Sequence, residues 1–493
     1  VYTAKIKMHD VDNKNSNHNK KSLAAVFFII VLLGSIQILV LINRDNPDFF
    51  SKAQISLKAL SQKIIFTSQD SKIEEDTKET VVPISATKEV VYFDEEDILD
   101  SENYFTVERN KLIEEKGLFV DVNLSEKIIT VFDDGTIEYT LPIRAIASKT
   151  SWWQTPPGVY EAKNKIKTHK SSFGNVFMPW NIPFQGNFFI HGWPYYPSGN
   201  PATSSVSGGC IRLSTEDAET LFEDVPVNTP IIVHANEFRT DFIDKERLTS
   251  FPQLSTENYL VTNLDTNELY GKGNDLRELK LGNLALLPLT LSAAEYIGIE
   301  KTHIIPAIQD TNYIDDSERV QEGSRLRTYD LLFPALEDWS FESLSVFAKY
   351  LSKDRYIDVT NEKLASIGAH KSNIDDLAED NPKNYTSPRD LFLLTKYIYL
   401  YRTFLLDISA SKLNTYLYGE PLTNDRRESP RIFDSYSNFE GGIYDEKRGH
   451  VIANFSYTIE GIRQSIFIGV FESSNPLEDV IKIETVLKKT FEK

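Results

Sequence analysis

One thiol stands in a chain of 493 residues, and the residue types around it are those that could do acyl-transfer chemistry. Cys210 lies in Ser207-Gly208-Gly209-Cys210-Ile211-Arg212-Leu213, and eighteen residues separate it from His191 in Phe188-Phe189-Ile190-His191-Gly192. A cysteine needs a neighbouring base or cation to act as a nucleophile near neutral pH, and histidine is the usual partner. Glycines beside it let a carbonyl substrate approach the backbone, whose N–H groups can then stabilise an oxyanion. On spacing alone, an inert thiol and an inert imidazole remain equally open.

The elements that must position these groups are short. From Leu118 onward, β-branched and apolar runs alternate with turn signals. Phe119–Val122, Lys127–Phe132 and Thr136–Thr140 read as strands, with Asp133-Asp134-Gly135 as a hairpin turn. Thr229–Val233 reads as a last strand. The run STEDAETLF from Ser214 has a Ser cap with Asp217 three residues on, which predicts one short helix just after the cysteine. Trp193, Tyr195 and Tyr196 follow His191 in a loop rich in proline and glycine, suited to a lid or to plain packing.

The rest of the chain supplies an address. Residues 23–42 hold no charge over twenty positions, enough at 1.5 Å per residue to cross a bilayer core of about 30 Å. No small-residue cleavage site follows, so the segment reads as an uncleaved anchor. Lys14, Lys20 and Lys21 precede it, whereas Asp45 and Asp48 follow Arg44, which puts 1–22 in the cytoplasm and everything after the span outside. The first residue is Val1 and the first methionine is Met8; either start gives the same topology. Residues 43–105 are polar and acidic and read as a linker with a reach on the order of 40 Å when flexible. The net charge of −19 argues against a nucleic-acid partner. A single cysteine excludes an internal disulfide, and the eight histidines show no metal-ligand spacing, so neither metal nor other cofactor is expected.

The region 117–235 resembles the L,D-transpeptidases with a YkuD-type catalytic domain. The resemblance rests on FVDVNLSEKIITVFDDG, on Thr155-Pro156-Pro157-Gly158-Val159-Tyr160, on Met178-Pro179-Trp180, on His191-Gly192 and on the Ser207–Leu213 stretch. It implies a mainly-β catalytic domain over 106–236. Cys210 would attack the bond between the third residue of a peptidoglycan tetrapeptide stem and its terminal D-alanine, and an amine of a second stem would resolve the thioester. His191 would be the base, oriented by the Gly192 carbonyl, with the N–H groups of Gly209 and Cys210 as oxyanion donors. Ser207 and Arg212 match motif positions; Arg212 is read evenly as fixing the turn or a substrate carboxylate and as pairing with a nearby acid. Many members carry a histidine where this chain has Gly208, which removes a second imidazole. Transfer to water, making an L,D-carboxypeptidase, and an inactive peptidoglycan-binding scaffold are the competing readings.

Residues 255–493 read as a further, separate α+β domain that resembles, more faintly, the D-alanyl-D-alanine carboxypeptidases of the penicillin-binding, serine β-lactamase-like fold. The resemblance is carried by Tyr259–Tyr270, by TYDLLFP from Thr328, and by Thr386–Leu391. That chemistry needs Ser-x-x-Lys, Ser-x-Asn and Lys-Thr-Gly. In register those motifs fall near Asn283–Leu286, Trp339–Phe341 and Glu440-Gly441-Gly442, and none is intact. The only later Ser-x-x-Lys is Ser409 to Lys412. The domain is therefore expected to bind stem peptide or a cell-wall protein partner, or to act as a spacer.

Overall fold

The computed structural model describes residues 102–171, 174–244, 248, 250–305, 323–413, 416–417, 420–421, 433 and 435–491. The expected tail, membrane span and almost all of the linker lie outside these residues. Among the described residues no helix is long and apolar enough to cross a membrane.

The catalytic-motif region is built on two sheets. The first has five strands: β1 (Phe119–Asn123), β2 (Ile128–Asp133), β3 (Thr136–Pro142), β4 (Gly158–Glu161) and β9 (Pro230–His234), in the order β3-β2-β1-β9-β4. The β2–β3 hairpin turns at Asp134 and Gly135, both with positive φ (46° and 75°). That pair of left-handed residues is what an Asp-Gly turn supplies, and it matches the twist of the strands it joins. β9 runs parallel to β1 and pairs Ile231, Ile232 and Val233 with Val120, Asp121 and Val122. The second sheet has four strands: β5 (Ile166–Lys170), β6 (Phe177–Gln185), β7 (Phe188–His191) and β8 (Ile211–Arg212), in that order. Helix α2 (Thr215–Asp224) follows β8 directly, with Ser214 Oγ accepting the Asp217 N–H at 3.0 Å. Its Ala218, Leu221 and Phe222 enter a core with Ile182, Ile190, Ile211 and Leu213.

The C-terminal region is a six-stranded sheet with helices packed around it. Its strands β10 (Ile243–Asp244), β11 (Asn258–Asn263), β12 (Glu268–Lys272), β13 (Phe439–Asp445), β14 (His450–Ile459) and β15 (Ile462–Phe471) lie in the order β10-β12-β11-β15-β14-β13. Helix α7 (Pro388–Tyr401) starts with proline in its first turn, after Ser387, whose hydroxyl caps the Asp390 N–H at 3.2 Å.

Two features depart from expectation. Helix α1 (Tyr104–Glu114) begins inside the stretch read as linker, because Tyr104 and Phe105 are apolar anchors, 5% and 2% exposed. The two regions are also not separate bodies. Tyr104, Phe105, Phe119, Ile232 and Phe238 share one buried cluster with Leu260, Leu286, Tyr397 and Phe404. The two regions therefore share one of their core clusters, while the catalytic region keeps a second of its own around Val120, Ile190 and Ile211.

Candidate active site

His191 and Cys210 are brought together by the parallel ladder between β7 and β8. It pairs Ile190 with Ile211 and His191 with Arg212, so Cys210 falls opposite Phe189, immediately before β8. Residues two apart on a strand share a face, which places His191, Cys210 and Arg212 on one face of the sheet. The alternate residues Ile190 and Ile211 point into the core. His191 is 1% exposed, and its Nδ1 lies 2.6 Å from the Gly192 carbonyl oxygen. With Nδ1–H donating to that carbonyl, Nε2 is left as the proton acceptor. The Cys210 sulfur meets the Asn187 carbonyl at 4.0 Å, and among the described residues no hydrogen bond joins it to His191.

Electrostatically, both groups rest neutral. Burial lowers the His191 pKa to about 4, against the opposing pull of the Gly192 carbonyl. Burial pushes the Cys210 thiol up to about 11, with the Phe189 backbone and Arg212 acting in the other direction. At neutral pH the site therefore holds a thiol and a neutral imidazole, and the thiol proton must move during attack. The His191 value also has a stability consequence. An unfolded histidine takes up its proton near pH 6.5, and the folded one holds off until about pH 4. Stability should therefore fall by about 3 kcal/mol as the pH drops through that window. Urea unfolding at pH 7 and pH 4.5 of wild type and His191→Gln measures it. Wild type should lose more than the variant, and parallel losses would refute the assignment.

The turn carrying the thiol is braced from within. Ser207 Oγ donates to the Cys210 carbonyl at 2.6 Å and accepts the Gly209 N–H at 3.1 Å. The Gly209 N–H, expected as one of two oxyanion donors, is thus engaged inside the turn, which leaves the Cys210 N–H for that role. Gly209 has φ +113°, and a Cβ there would lie 2.4 Å from the Phe188 ring and 2.8 Å from the Trp153 carbonyl oxygen, so only glycine fits. At Gly208 a Cβ would meet nothing within 4 Å, so a side chain could start there without a clash at its first carbon. Arg212 pairs with no acid among the described residues. Its Nη1 donates to the Ser204 carbonyl at 2.9 Å, its guanidinium lies 5.7 Å from the centre of the Trp193 ring, and its Nε is buried without a hydrogen bond. Of the two even readings of Arg212, the acid pairing is not what the described residues show: a loop carbonyl and an aromatic face take its place. The loop after His191 is fastened rather than open: Trp193 Nε1 donates to Ala202 O at 2.9 Å, and Tyr195 exchanges backbone bonds with Phe177.

Two residues near the site were given no site role from the sequence, although Thr155 opens one of its motifs. Thr155 Oγ1 donates to the Gly209 carbonyl at 2.8 Å, tying the Thr-Pro-Pro-Gly turn to the thiol turn. Asn181 stands next in line with His191 on the β6–β7 ladder, and both its amide atoms are buried without partners.

Residues 118–233 match the family model of the L,D-transpeptidase catalytic domain, YkuD. A curated relative, the YciB protein of Bacillus subtilis (strain 168), carries a provisional L,D-transpeptidase name. It is 23% identical over a 133-residue alignment that covers 24% of this chain and 68% of the relative. Among solved structures, penicillin binding protein 6B from Escherichia coli is 14% identical. That match covers 50% of this chain and 81% of that one, with a TM-score of 0.41. A D-alanyl-D-alanine carboxypeptidase from Mycobacterium tuberculosis H37Rv is also 14% identical, covering 50% and 96%, with a TM-score of 0.43.

In the C-terminal region, the three segments where acyl-transfer motifs were sought are occupied by structural contacts. The Asn283 N–H donates to Asp445 at 3.0 Å, Trp339 packs edge-on against Tyr444, and the Gly442 N–H donates to Ser409 Oγ at 3.1 Å. Ser409 in turn donates to the Leu406 carbonyl at 2.9 Å. Among the described residues no group of histidine, cysteine and acidic side chains could hold a metal.

Proposed function

We propose that this protein is a peptidoglycan L,D-transpeptidase that works through a Cys210 thioester. The observation that carries the reading is the β7–β8 ladder: His191, oriented through Nδ1 by the Gly192 carbonyl, pairs with Arg212, two residues from Cys210. In the first step the sulfur attacks the carbonyl carbon between the third stem residue and terminal D-alanine, and its proton passes to His191 Nε2. The Cys210 N–H stabilises the oxyanion. Collapse breaks the C–N bond, and His191 returns the proton to the departing D-alanine amine. The amine of a second stem then attacks the thioester, His191 takes its proton, and the thiol is re-formed. Water in place of that amine gives the carboxypeptidase outcome. The apolar segment 23–42 would tether this chemistry to the outer face of the cytoplasmic membrane.

Incubating residues 102–493 with a disaccharide-tetrapeptide, and separately with a carbapenem, should add one acyl group by intact mass. Cys210→Ala should abolish the adduct, and acylation of that variant at the wild-type rate would sink the assignment. Because the resting pair is neutral, the acylation rate should rise through about pH 4 and stay level across neutrality.

A further inference from the structure

A buried cation of the C-terminal region reaches the loop that supports the thiol turn. Arg402 follows helix α7 and is fully buried, 0% exposed. Its Nη1 donates to the carbonyls of Gln154 at 3.1 Å and Trp152 at 3.5 Å, both in the loop that leads into the Thr-Pro-Pro-Gly turn. Nη2 lies 2.8 Å from Glu295 Oε1, an ion pair at an angle too poor for a hydrogen bond. The loop answers in kind, since Gln154 Nε2 donates to the Leu400 carbonyl at 3.0 Å and so satisfies an acceptor that the end of α7 leaves open. Trp152 and Trp153 pack on Phe404 with centroids 5.4 and 6.1 Å apart.

The same loop holds the nucleophile. Thr155 Oγ1 bonds the Gly209 carbonyl, and Gly209 rests on the Trp153 carbonyl and the Phe188 ring so closely that no Cβ fits. The Arg402 guanidinium lies 5.2 Å from the centres of both the Trp153 and Phe188 rings. A continuous path thus runs from Glu295 through Arg402 and the 152–155 loop to Gly209 and Cys210. Its non-covalent links are hydrogen bonds, an ion pair and ring contacts, joined by the backbone at 154–155 and 209–210.

We propose that Arg402 is a positioning residue for Cys210, and that the C-terminal region serves the catalytic domain as a clamp on the 152–155 loop. The proposal rests on the reading of Cys210 as nucleophile. Arg402 touches no substrate; it fixes where the thiol and the Cys210 N–H stand when a carbonyl arrives. A planar guanidinium suits this task because one nitrogen can serve two loop carbonyls while another faces the carboxylate. Lysine would keep the charge opposite Glu295 and lose that span.

The test uses residues 102–493 with Arg402→Lys, Thr155→Val and Gln154→Ala, and two readouts. The first is carbapenem acylation, resolved into a binding constant and a limiting rate. Arg402→Lys and Thr155→Val should each lower the limiting rate by about tenfold to hundredfold, as small misplacements of reacting groups do, with binding changed less than about threefold. The double variant should be no slower than the slower single one, because both cut the same path. Gln154→Ala, which leaves both charges in place, should slow the rate several-fold and keeps the test decisive where Arg402→Lys fails to fold. The second readout is amide hydrogen exchange in a peptide covering 207–213, which should quicken in all three variants whatever their activity. Unchanged exchange and wild-type rates overturn the clamp, as does a double variant whose losses multiply. A wild-type protein that is never acylated, yet whose 207–213 exchange responds to these variants, overturns the nucleophile reading and leaves the clamp standing.

Discussion

Cut after residue 240, the catalytic region is expected to lose its cooperative unfolding transition altogether. Tyr104, Phe105, Phe119, Ile232 and Phe238 are each no more than 5% exposed in the intact chain, in a cluster largely made of C-terminal residues. Phe238 meets Tyr397 and Tyr401 edge-on at 5.8 and 6.0 Å, and the Tyr104 ring stacks edge-on against His370 at 5.2 Å. Each such side chain contributes about 1.5–3 kcal/mol when buried, so exposing the set costs on the order of 10 kcal/mol. That is comparable to the whole stability of a typical domain, about 5–15 kcal/mol. Near-UV circular dichroism melts and dye binding to exposed apolar surface would compare residues 102–240 with 102–493. The shorter protein should bind dye and melt without a sharp transition. A sharp melt within a few degrees of the longer protein would show that the shared core is dispensable.

The parts of this architecture that are local in the chain were legible in its sequence. Asp134-Gly135 marks the hairpin because two positive-φ residues in succession suit few other pairs. Ser214 marks the start of α2, because a cap bonds to an N–H three residues on. His191 and Cys210 were proposed as a pair on the resemblance, and the ladder sets them on neighbouring strands. The fate of the Gly209 N–H was not, since it depends on which way Ser207 Oγ turns. The junction was least legible. Glu295, Lys363 and Arg402 look in sequence like surface charges, and their meeting depends on three separate helical segments closing over one another. One signal was present: Glu295 is the only charge in the apolar stretch 286–299. An acid placed there must be buried, and a buried acid needs cations.

Replacing that acid should be the most damaging single substitution at the junction. Glu295 is 1% exposed, with Lys363 Nζ at 3.1 Å and Arg402 Nη2 at 2.8 Å. Burial alone would raise its pKa, but the two cations hold it below the ordinary carboxylate value. Glu295 also accepts from Tyr397 Oη at 2.5 Å and Gln185 Nε2 at 3.1 Å. The excess positive charge is offset by the Tyr397 ring, 3.8 Å from Lys363 Nζ, and by the loop carbonyls on Arg402. Glu295→Ala leaves two cations buried without a counter-charge and should cost about 3–5 kcal/mol. By contrast, breaking the exposed Lys447–Asp380 pair should cost far less, because solvent screens it. A cavity could produce part of the Glu295 loss, and pH separates the two causes. Burial already lowers Lys363 to about 8 in the intact protein, against the pull of Glu295. Without the carboxylate its pKa drops further, so the folded variant sheds this proton at a pH where the unfolded chain still binds it. Between that lower value and about pH 8 the variant gains stability relative to wild type, by up to about 1.4 kcal/mol per pH unit. Above pH 8 both folded proteins hold Lys363 neutral and the deficit stays constant, its electrostatic remainder being that of Arg402. Denaturant unfolding at half-unit steps from pH 6 to pH 9 would trace the difference. A deficit that does not change with pH would assign the loss to the cavity and refute the buried-charge account.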